Sequence, residues 1–271
     1  MKIVKNIQDG LNNLLEIYVD NHTIESVHYR GDTLCVSSQI GCPVRCSFCA
    51  SGMNGLIRNL STDEILNQYF LAKEDGLEIR NIAFAGIGEP LLNWNNVKEA
   101  FFKFKELGLK VSFYTTGFPL NKFEQLLNLP HNGLTLSLHS VLEEKRKDLI
   151  PKGETIQNLL NVFGNHLKNL SNKKRKLYSI AYLLIYNEND SDEEIQKLAQ
   201  IAKDLNVNVS LLKYNEIEGI PYKTTPDEKY EEVFLKLRKE GIRVTLSNKY
   251  RTRKIGGCGT LMINRLQKQS L

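Results

Sequence analysis

The sequence predicts an α/β chain: a partial (β/α)6 barrel preceded by a small N-terminal β-extension. From Thr33 to Leu246 short buried strands alternate with amphipathic helical stretches, roughly six times over, the pattern of parallel strands joined by helices. Before Thr33 the periodicity is two residues, with turn residues between runs, as in antiparallel strands. The residues richest in chemistry fall just after strands, where barrels and open α/β sheets alike put their sites. A doubly wound sheet is the competing arrangement.

In chain order, residues 1–31 form the extension, with strands over 15–19 and 24–29 and a turn at Asp20-Asn21-His22. Residues 32–248 form the barrel and 249–271 a C-terminal loop and tail. A strand over 34–37 leads into a cysteine-rich loop. Ser61-Thr62-Asp63-Glu64 is a capping box that opens a helix over 64–73. Strand 81–84, helix 96–107, strand 110–114, helix 121–127 and strand 134–138 follow. Helical stretches over 142–149 and 155–167 precede strand 177–184, and Lys173 to Lys176 reads as a charged linker. Helix 191–205, strand 207–212, helix 227–240 and strand 243–246 complete the series.

Composition sets the class. At 271 residues, 41% hydrophobic and 25% charged, the chain has the make-up of an ordinary globular protein with a sizeable core. No run reaches the roughly 18 apolar residues of a membrane helix, and Met1-Lys2-Ile3-Val4-Lys5 lacks a signal-peptide core. Five cysteines, three of them clustered, argue against a disulfide framework and for a reducing compartment, by default the cytoplasm. The formal charge of +5 permits a nucleic-acid partner. Lys173-Lys174-Arg175-Lys176 and the basic stretch from Lys249 to Lys254 are candidate phosphate contacts.

The centre of the sequence is Gly41-Cys42-Pro43-Val44-Arg45-Cys46-Ser47-Phe48-Cys49. Tetrahedral zinc needs four ligands. Three thiolates in one short loop suit three irons of a [4Fe–4S] cluster and leave the fourth iron open to a substrate. The C-x3-C-x2-C spacing, with Phe48 before the last cysteine, resembles the signature of the radical S-adenosylmethionine (SAM) enzymes. Three unrelated core cysteines and a zinc knuckle with a borrowed ligand are the bland alternatives. After strand 81–84 comes Ala85-Gly86-Ile87-Gly88-Glu89-Pro90, in which glycines let backbone approach a ligand and Glu89 offers a carboxylate to an ammonium. Tyr114-Thr115-Thr116-Gly117, Ser137-Leu138-His139 and Asn215 lie at later strand ends. Cys258, flanked by glycines, suits a nucleophile on a loop better than core packing.

The order of these stretches resembles the RlmN/Cfr family of radical SAM RNA methyltransferases. The matching residues are 34–42, 46–49, 57–61, Gly86 to Asn93, Ser137 to Ser140 and Cys258-Gly259, nearly the whole chain from about residue 25 to residue 261. The resemblance implies that Cys42, Cys46 and Cys49 hold the cluster and that Phe48, Gly88, Glu89, Ser137, Leu138, His139 and Asn215 bind SAM. It implies that Cys258 takes a methyl group from one SAM, and that a 5′-deoxyadenosyl radical from a second SAM removes a hydrogen from that methyl. The carbon radical then adds to C2 or C8 of adenine, Glu25 removes the ring proton, and Cys35 resolves the link by a disulfide with Cys258. The implied partners are ribosomal or transfer RNA and a reductant such as flavodoxin or ferredoxin, with no membrane. The chain departs from the family in four respects. Only a short segment precedes Cys35, so the family's N-terminal accessory domain is expected to be missing. Arg251-Thr252-Arg253-Lys254 replaces the family's stretch before the last cysteine, Cys258-Gly259-Thr260 replaces its Cys-Gly-Gln, and Tyr114 stands in place of a serine. An enzyme of the same fold with another substrate is the alternative.

Overall fold

A computed structural model describes residues 1–247, 257 and 259–262. The N-terminal meander is β1 (Lys2–Asp9), β2 (Asn12–Val19) and β3 (His22–Tyr29). Its second turn has Asp20 and Asn21 both at positive φ, 47° and 61°, as a two-residue hairpin loop between right-twisted strands requires. β4 (Thr33–Val36) pairs antiparallel with β3, matching Cys35 to Val27. The extension is therefore not a separate layer: it continues the main sheet.

A narrow antiparallel ribbon, β5 (Gln39–Gly41) and β6 (Leu56–Asn59), then carries the cysteine loop. The α/β series runs α1 (Thr62–Glu74), β7 (Asn81–Phe84), α2 (Trp94–Glu106), β8 (Lys110–Thr115), α3 (Leu120–Leu127), β9 (Gly133–Ser137), α4 (Glu143–Leu149), α5 (Ile156–Lys168) and α6 (Asn172–Arg175). It closes with β10 (Tyr178–Leu184), α7 (Asp192–Leu205), β11 (Asn208–Lys213), α8 (Asp227–Lys239) and β12 (Val244–Leu246). At Ser61 the expected capping box is present in both directions, and Arg58 forks onto Glu64 at 2.8 Å from each carboxylate oxygen.

The ten-stranded sheet has the order β1-β2-β3-β4-β7-β8-β9-β10-β11-β12. From β4 to β12 every neighbouring pair is parallel. The strand order never reverses, which excludes the doubly wound competitor. The first and last strands are the sheet's two edges, so the barrel is partial. Alternate residues divide its two faces. Phe84, Phe113, Leu134, Leu136, Ile180 and Tyr182 point to the helices and are at most 1% exposed. Ala83, Ser112, Tyr114, Ser137 and Ala181 point inward and border an internal cavity. Small and polar inner residues keep the barrel hollow at that level. None of the described helices is long and apolar enough to cross a membrane.

The short helix α6 occupies the stretch expected to be a charged linker, with Ser171 accepting from the Lys174 amide. It precedes the N-terminal end of β10, so Lys173 to Arg175 lie on the far side of the barrel from the cysteine loop, which follows the C-terminal end of β4. That position separates them from the site. The second basic stretch, 249–254, lies outside the described residues.

Burial also fixes a pH dependence. His131 is 6% exposed, both ring nitrogens lack partners, and its ring stands edge-on to Tyr178 at 5.2 Å. Burial, followed by the neighbouring His166, lowers its pKa from 6.5 to about 4. The folded chain holds His131 neutral while the unfolded chain protonates it near pH 6.5, so its contribution is intact above that pH and is lost as pH falls toward 4. Between pH 7 and pH 5 this residue alone is expected to lower stability by about 2 kcal/mol. His131→Phe should remove that part of the loss with little effect at pH 7, as read by urea unfolding at the two pH values.

Candidate active site

The cysteine loop is shaped from below by backbone contacts. Gly41, at φ 80°, sits where a Cβ would meet the Gly55 carbonyl oxygen at 2.0 Å, so the narrow ribbon admits only glycine there. The Cys42 amide donates to that same carbonyl, Ser47 N donates to Leu149 O at the end of α4, and Ala50 N donates to Gly259 O. Ser51 Oγ adds a bond to Leu261 O at 2.6 Å. The loop is thus clamped between α4 and the segment around Gly259 to Met262. Cys42, Cys46 and Cys49 form no disulfide among the described residues. Burial first, then neighbouring thiols, pushes the Cys42 pKa up to about 12 and that of Cys46 well above its ordinary value. Among the described residues no three metal-ligating side chains converge on a single ion.

All three thiols border one cavity of about 460 Å³, within the ordinary size of a small-molecule site. Phe48, Gly88, Glu89, Ser137 and His139 line it from the strand ends, and Cys35 lines it from β4. Gly257 and Gly259 border it too, while Cys258 between them lies outside the described residues. The cavity continues to Thr33, Asn81, Lys110 and Asn132, at or just before the strand starts, so it extends along the barrel interior.

Glu89 is 4% exposed and caps the turn Pro90–Asn93. One oxygen accepts from Leu91 N and, at 2.5 Å, from Thr115 Oγ1; the other accepts from Thr116 N and Thr116 Oγ1, both at 2.9 Å. Burial raises its pKa and these four donors oppose that rise. The result is a fixed, desolvated carboxylate in the cavity wall. His139 has φ 58°, and its Nδ1 accepts from Leu183 N at 3.1 Å, which leaves the ring proton on Nε2. Burial, then the nearby Arg146 charge, lowers its pKa to about 3, so the ring is a neutral donor. Its ring stands edge-on to Phe48 at 5.2 Å.

Three expected site residues lie elsewhere. The Leu138 side chain belongs to the main core, leaving only its backbone near the cavity. Asn215 follows β11 and does not line the cavity. Glu25 does not line the cavity, although Val27 and Tyr29 on its face of β3 do; it is 1% exposed and its Oε2 accepts from Met262 N at 2.8 Å.

No sequence motif singles out the polar side chains that hold these loops. Gln68 of α1 bonds both the amide and the carbonyl of Ser37 at 2.8 Å. Ser37 Oγ donates to Glu25 O and accepts from Ile87 N. Gln39 Oε1 accepts from Glu89 N, and Asn93 donates to Ser38 O and Leu60 O. The only sequence signal was the polar run Ser37-Ser38-Gln39 directly after a strand.

Comparison with known proteins adds to this geometry. Residues 36–199 match the model of the radical SAM superfamily. A probable dual-specificity RNA methyltransferase RlmN of Pseudothermotoga lettingae is 39% identical over 72% of this chain and 60% of its own length. The like-named protein of Thermotoga maritima is 33% identical over 97% of this chain and 78% of its length. The chain therefore spans less than two thirds of the first of these relatives. The crystal structure of a radical SAM methyltransferase from Sphaerobacter thermophilus superposes with a TM-score of 0.85 at 28% identity, covering 96% of this chain and 80% of that one.

The loop carrying Glu89 depends on close backbone approach at Gly86, where a Cβ would meet Ser37 N and Val36 C, both at 2.6 Å. Gly86→Ala is expected to force β4 and the Glu89 loop apart and to cost about 1–3 kcal/mol of stability. Urea unfolding measures it, and an unchanged midpoint would contradict the close packing.

Proposed function

This chain belongs to the radical SAM superfamily and, within it, to the RlmN/Cfr family, and from that membership we propose that it methylates a ring carbon of adenine in RNA through an S-methyl group on Cys258. One observation carries the reading: three thiols of one loop, the Glu89 carboxylate, the His139 ring, Cys35 and both neighbours of Cys258 border the same cavity. Three thiolates are the donor set for three irons of a [4Fe–4S] cluster, and Cys42, Cys46 and Cys49 would hold it. With SAM, a reduced cluster of this kind supplies a 5′-deoxyadenosyl radical.

The chain's own residues do the rest. Glu89 takes the SAM ammonium, and because four donors already fill its acceptor sites, one of them gives way when the ammonium docks. Gly88 allows close backbone approach, Ser137 and the His139 Nε2–H offer polar contacts, and Phe48 packs against the bound molecule. Leu138 contributes through its backbone, and Asn215 from the loop after β11.

Cys258 loses its thiol proton and takes a methyl group from a first SAM. The radical derived from a second SAM removes one hydrogen atom from that methyl, and the resulting carbon radical adds to C2 or C8 of adenine. The adduct would give up one electron to a one-electron acceptor, the oxidised cluster being the one at hand, and Glu25 would take the ring proton. The Cys35 thiolate then attacks the Cys258 sulfur, the sulfur–carbon bond breaks, a disulfide forms and the released carbon is protonated to a methyl. Glu25 Oε2 is engaged by Met262 N, which places the base beside the segment that follows Cys258. The adenine must leave its stack to enter the cavity. The RNA is ribosomal or transfer RNA, and a one-electron donor such as flavodoxin or ferredoxin feeds the cluster, without a membrane partner.

Anaerobic mass spectrometry after incubation with SAM tests the first step. The Cys258 peptide is expected to gain one CH2 unit, and Cys258→Ala to gain none. SAM cleavage to 5′-deoxyadenosine with no gain on Cys258 would refute the methyl-cysteine route.

A further inference from the structure

Two buried donors beside the cysteine loop have no acceptor. Arg146 of α4 is 2% exposed. Its Nη1 donates to Glu154 O at 2.7 Å and its Nη2 to Thr116 O at 3.2 Å, while Nε has no partner. Both hydrogen bonds go to uncharged backbone carbonyls. The nearby carboxylates are engaged elsewhere, Glu143 on the Ile156 amide and Glu154 on the Leu120 amide. A guanidinium buried without an ion pair costs several kcal/mol unless a negative group faces it. Glu143, Cys46 and Glu154, in that order, lie within its electrostatic reach, and of these only Cys46 borders the cavity. The end of α4 is itself bonded to the cysteine loop through Leu149 O and Ser47 N.

Tyr214, just after β11, is 1% exposed, and its hydroxyl finds no hydrogen-bond partner of normal geometry. The Ile217 N–H interacts with it, but as a donor it leaves the hydroxyl proton unmatched. Burial pushes its pKa up to about 12, so the proton stays on, and the group lies within electrostatic reach of Cys49. Its ring is edge-on to Tyr222, whose hydroxyl bonds Ser47 Oγ at 2.9 Å. Two elements distant in sequence thus each bring an unmatched buried donor to the same loop. Cluster sulfurs are acceptors, and hydrogen bonds to them help set a cluster's potential.

We propose that Arg146 and Tyr214 are charge and hydrogen-bond partners of an iron–sulfur cluster held by Cys42, Cys46 and Cys49, and that they raise its reduction potential. This rests on the cluster reading above. Reduction adds one negative charge, so a fixed cation and a donor favour the reduced state over the oxidised one. Arg146 also holds Thr116, which donates twice to Glu89, so the same side chain couples the cluster wall to the carboxylate meant for SAM.

The test is an anaerobic redox titration of the full chain, reconstituted with iron and sulfide and followed by electron paramagnetic resonance without SAM. Tyr214→Phe removes one oxygen from a packed ring and is expected to lower the midpoint. Arg146→Gln should lower it further, by about tenfold in the one-electron equilibrium, ~59 mV. Arg146→Lys, which keeps the charge, should stay above Arg146→Gln. If Arg146→Gln does not fold, Arg146→Lys decides alone: losing the Nε donor should still lower the midpoint, and an unchanged value overturns the arginine's part. Full iron content with an unmoved midpoint in Tyr214→Phe overturns the tyrosine's part, and the same result in Arg146→Gln overturns the arginine's. Failure of the parent protein to bind about four irons per chain sinks the cluster reading and this inference with it, whereas a normal cluster with unmoved midpoints sinks the inference alone.

Discussion

Gln68 is a fully buried amide, and the geometry of the site descends from its grip on Ser37. Its oxygen also accepts from Ser26 Oγ, so one side chain joins α1, β3 and the end of β4. Ser37 in turn reaches Glu25 O on one side and Ile87 N on the other. The strand that ends here carries Cys35, the ribbon that starts here carries the cysteine loop, and the turn bonded here carries Glu89. A buried amide left unpaired costs about 1–3 kcal/mol per lost partner. This joint is therefore held as a unit, and the three chemical stations keep their spacing because they hang from it.

The second determinant is dryness. Glu89, His139 and Arg146 are each at most 7% exposed, and each is shifted by burial toward its neutral form. For Glu89, four donors hold the carboxylate against that tendency; for His139, a backbone amide fixes the tautomer. In so little water, a cationic ligand and an anionic cluster are felt strongly by fixed dipoles. In the middle of the sheet the inward residues Ala83, Ser112, Ser137 and Ala181 are small or polar, while Leu183 and Leu212 add apolar wall beside the cysteine loop. Phe84, Phe113 and Leu136 face the helices, so the hollow interior takes nothing from the main core.

Much of this was legible in the sequence. Apart from α6, strands and helices from β7 to β12 fall within two residues of their expected bounds, because long amphipathic periods and apolar runs leave little latitude. The choice between barrel and doubly wound sheet was not legible from element order alone. It was present in the strands, where Ser112, Ser137 and Ala181 alternate with Phe113, Leu136 and Ile180. The β5–β6 ribbon escaped notice because strands of three and four residues have no period to detect. Arg146 was invisible for a different reason: an arginine among Glu143, Glu144, Lys145 and Lys147 reads as solvated, and only the tertiary fold shows it turned inward. The motif identified Cys42, Cys46, Cys49, Glu89 and His139 as candidates, but the αL backbone and fixed tautomer of His139 come from contacts with β10 that no local pattern encodes. Leu138 shows the converse, a motif residue whose side chain serves the core.

The central claim is that the transferred carbon passes through Cys258 and is attacked as a radical, and isotopes follow it most directly. Incubation with RNA and SAM carrying a CD3 group, followed by mass spectrometry of nucleosides and of 5′-deoxyadenosine, counts the deuterons. One deuteron in 5′-deoxyadenosine and two in the new methyl of adenosine are expected, because one hydrogen is removed as an atom and one is restored from solvent. Three deuterons in the methyl, with none in 5′-deoxyadenosine, would mean direct transfer and would contradict the account.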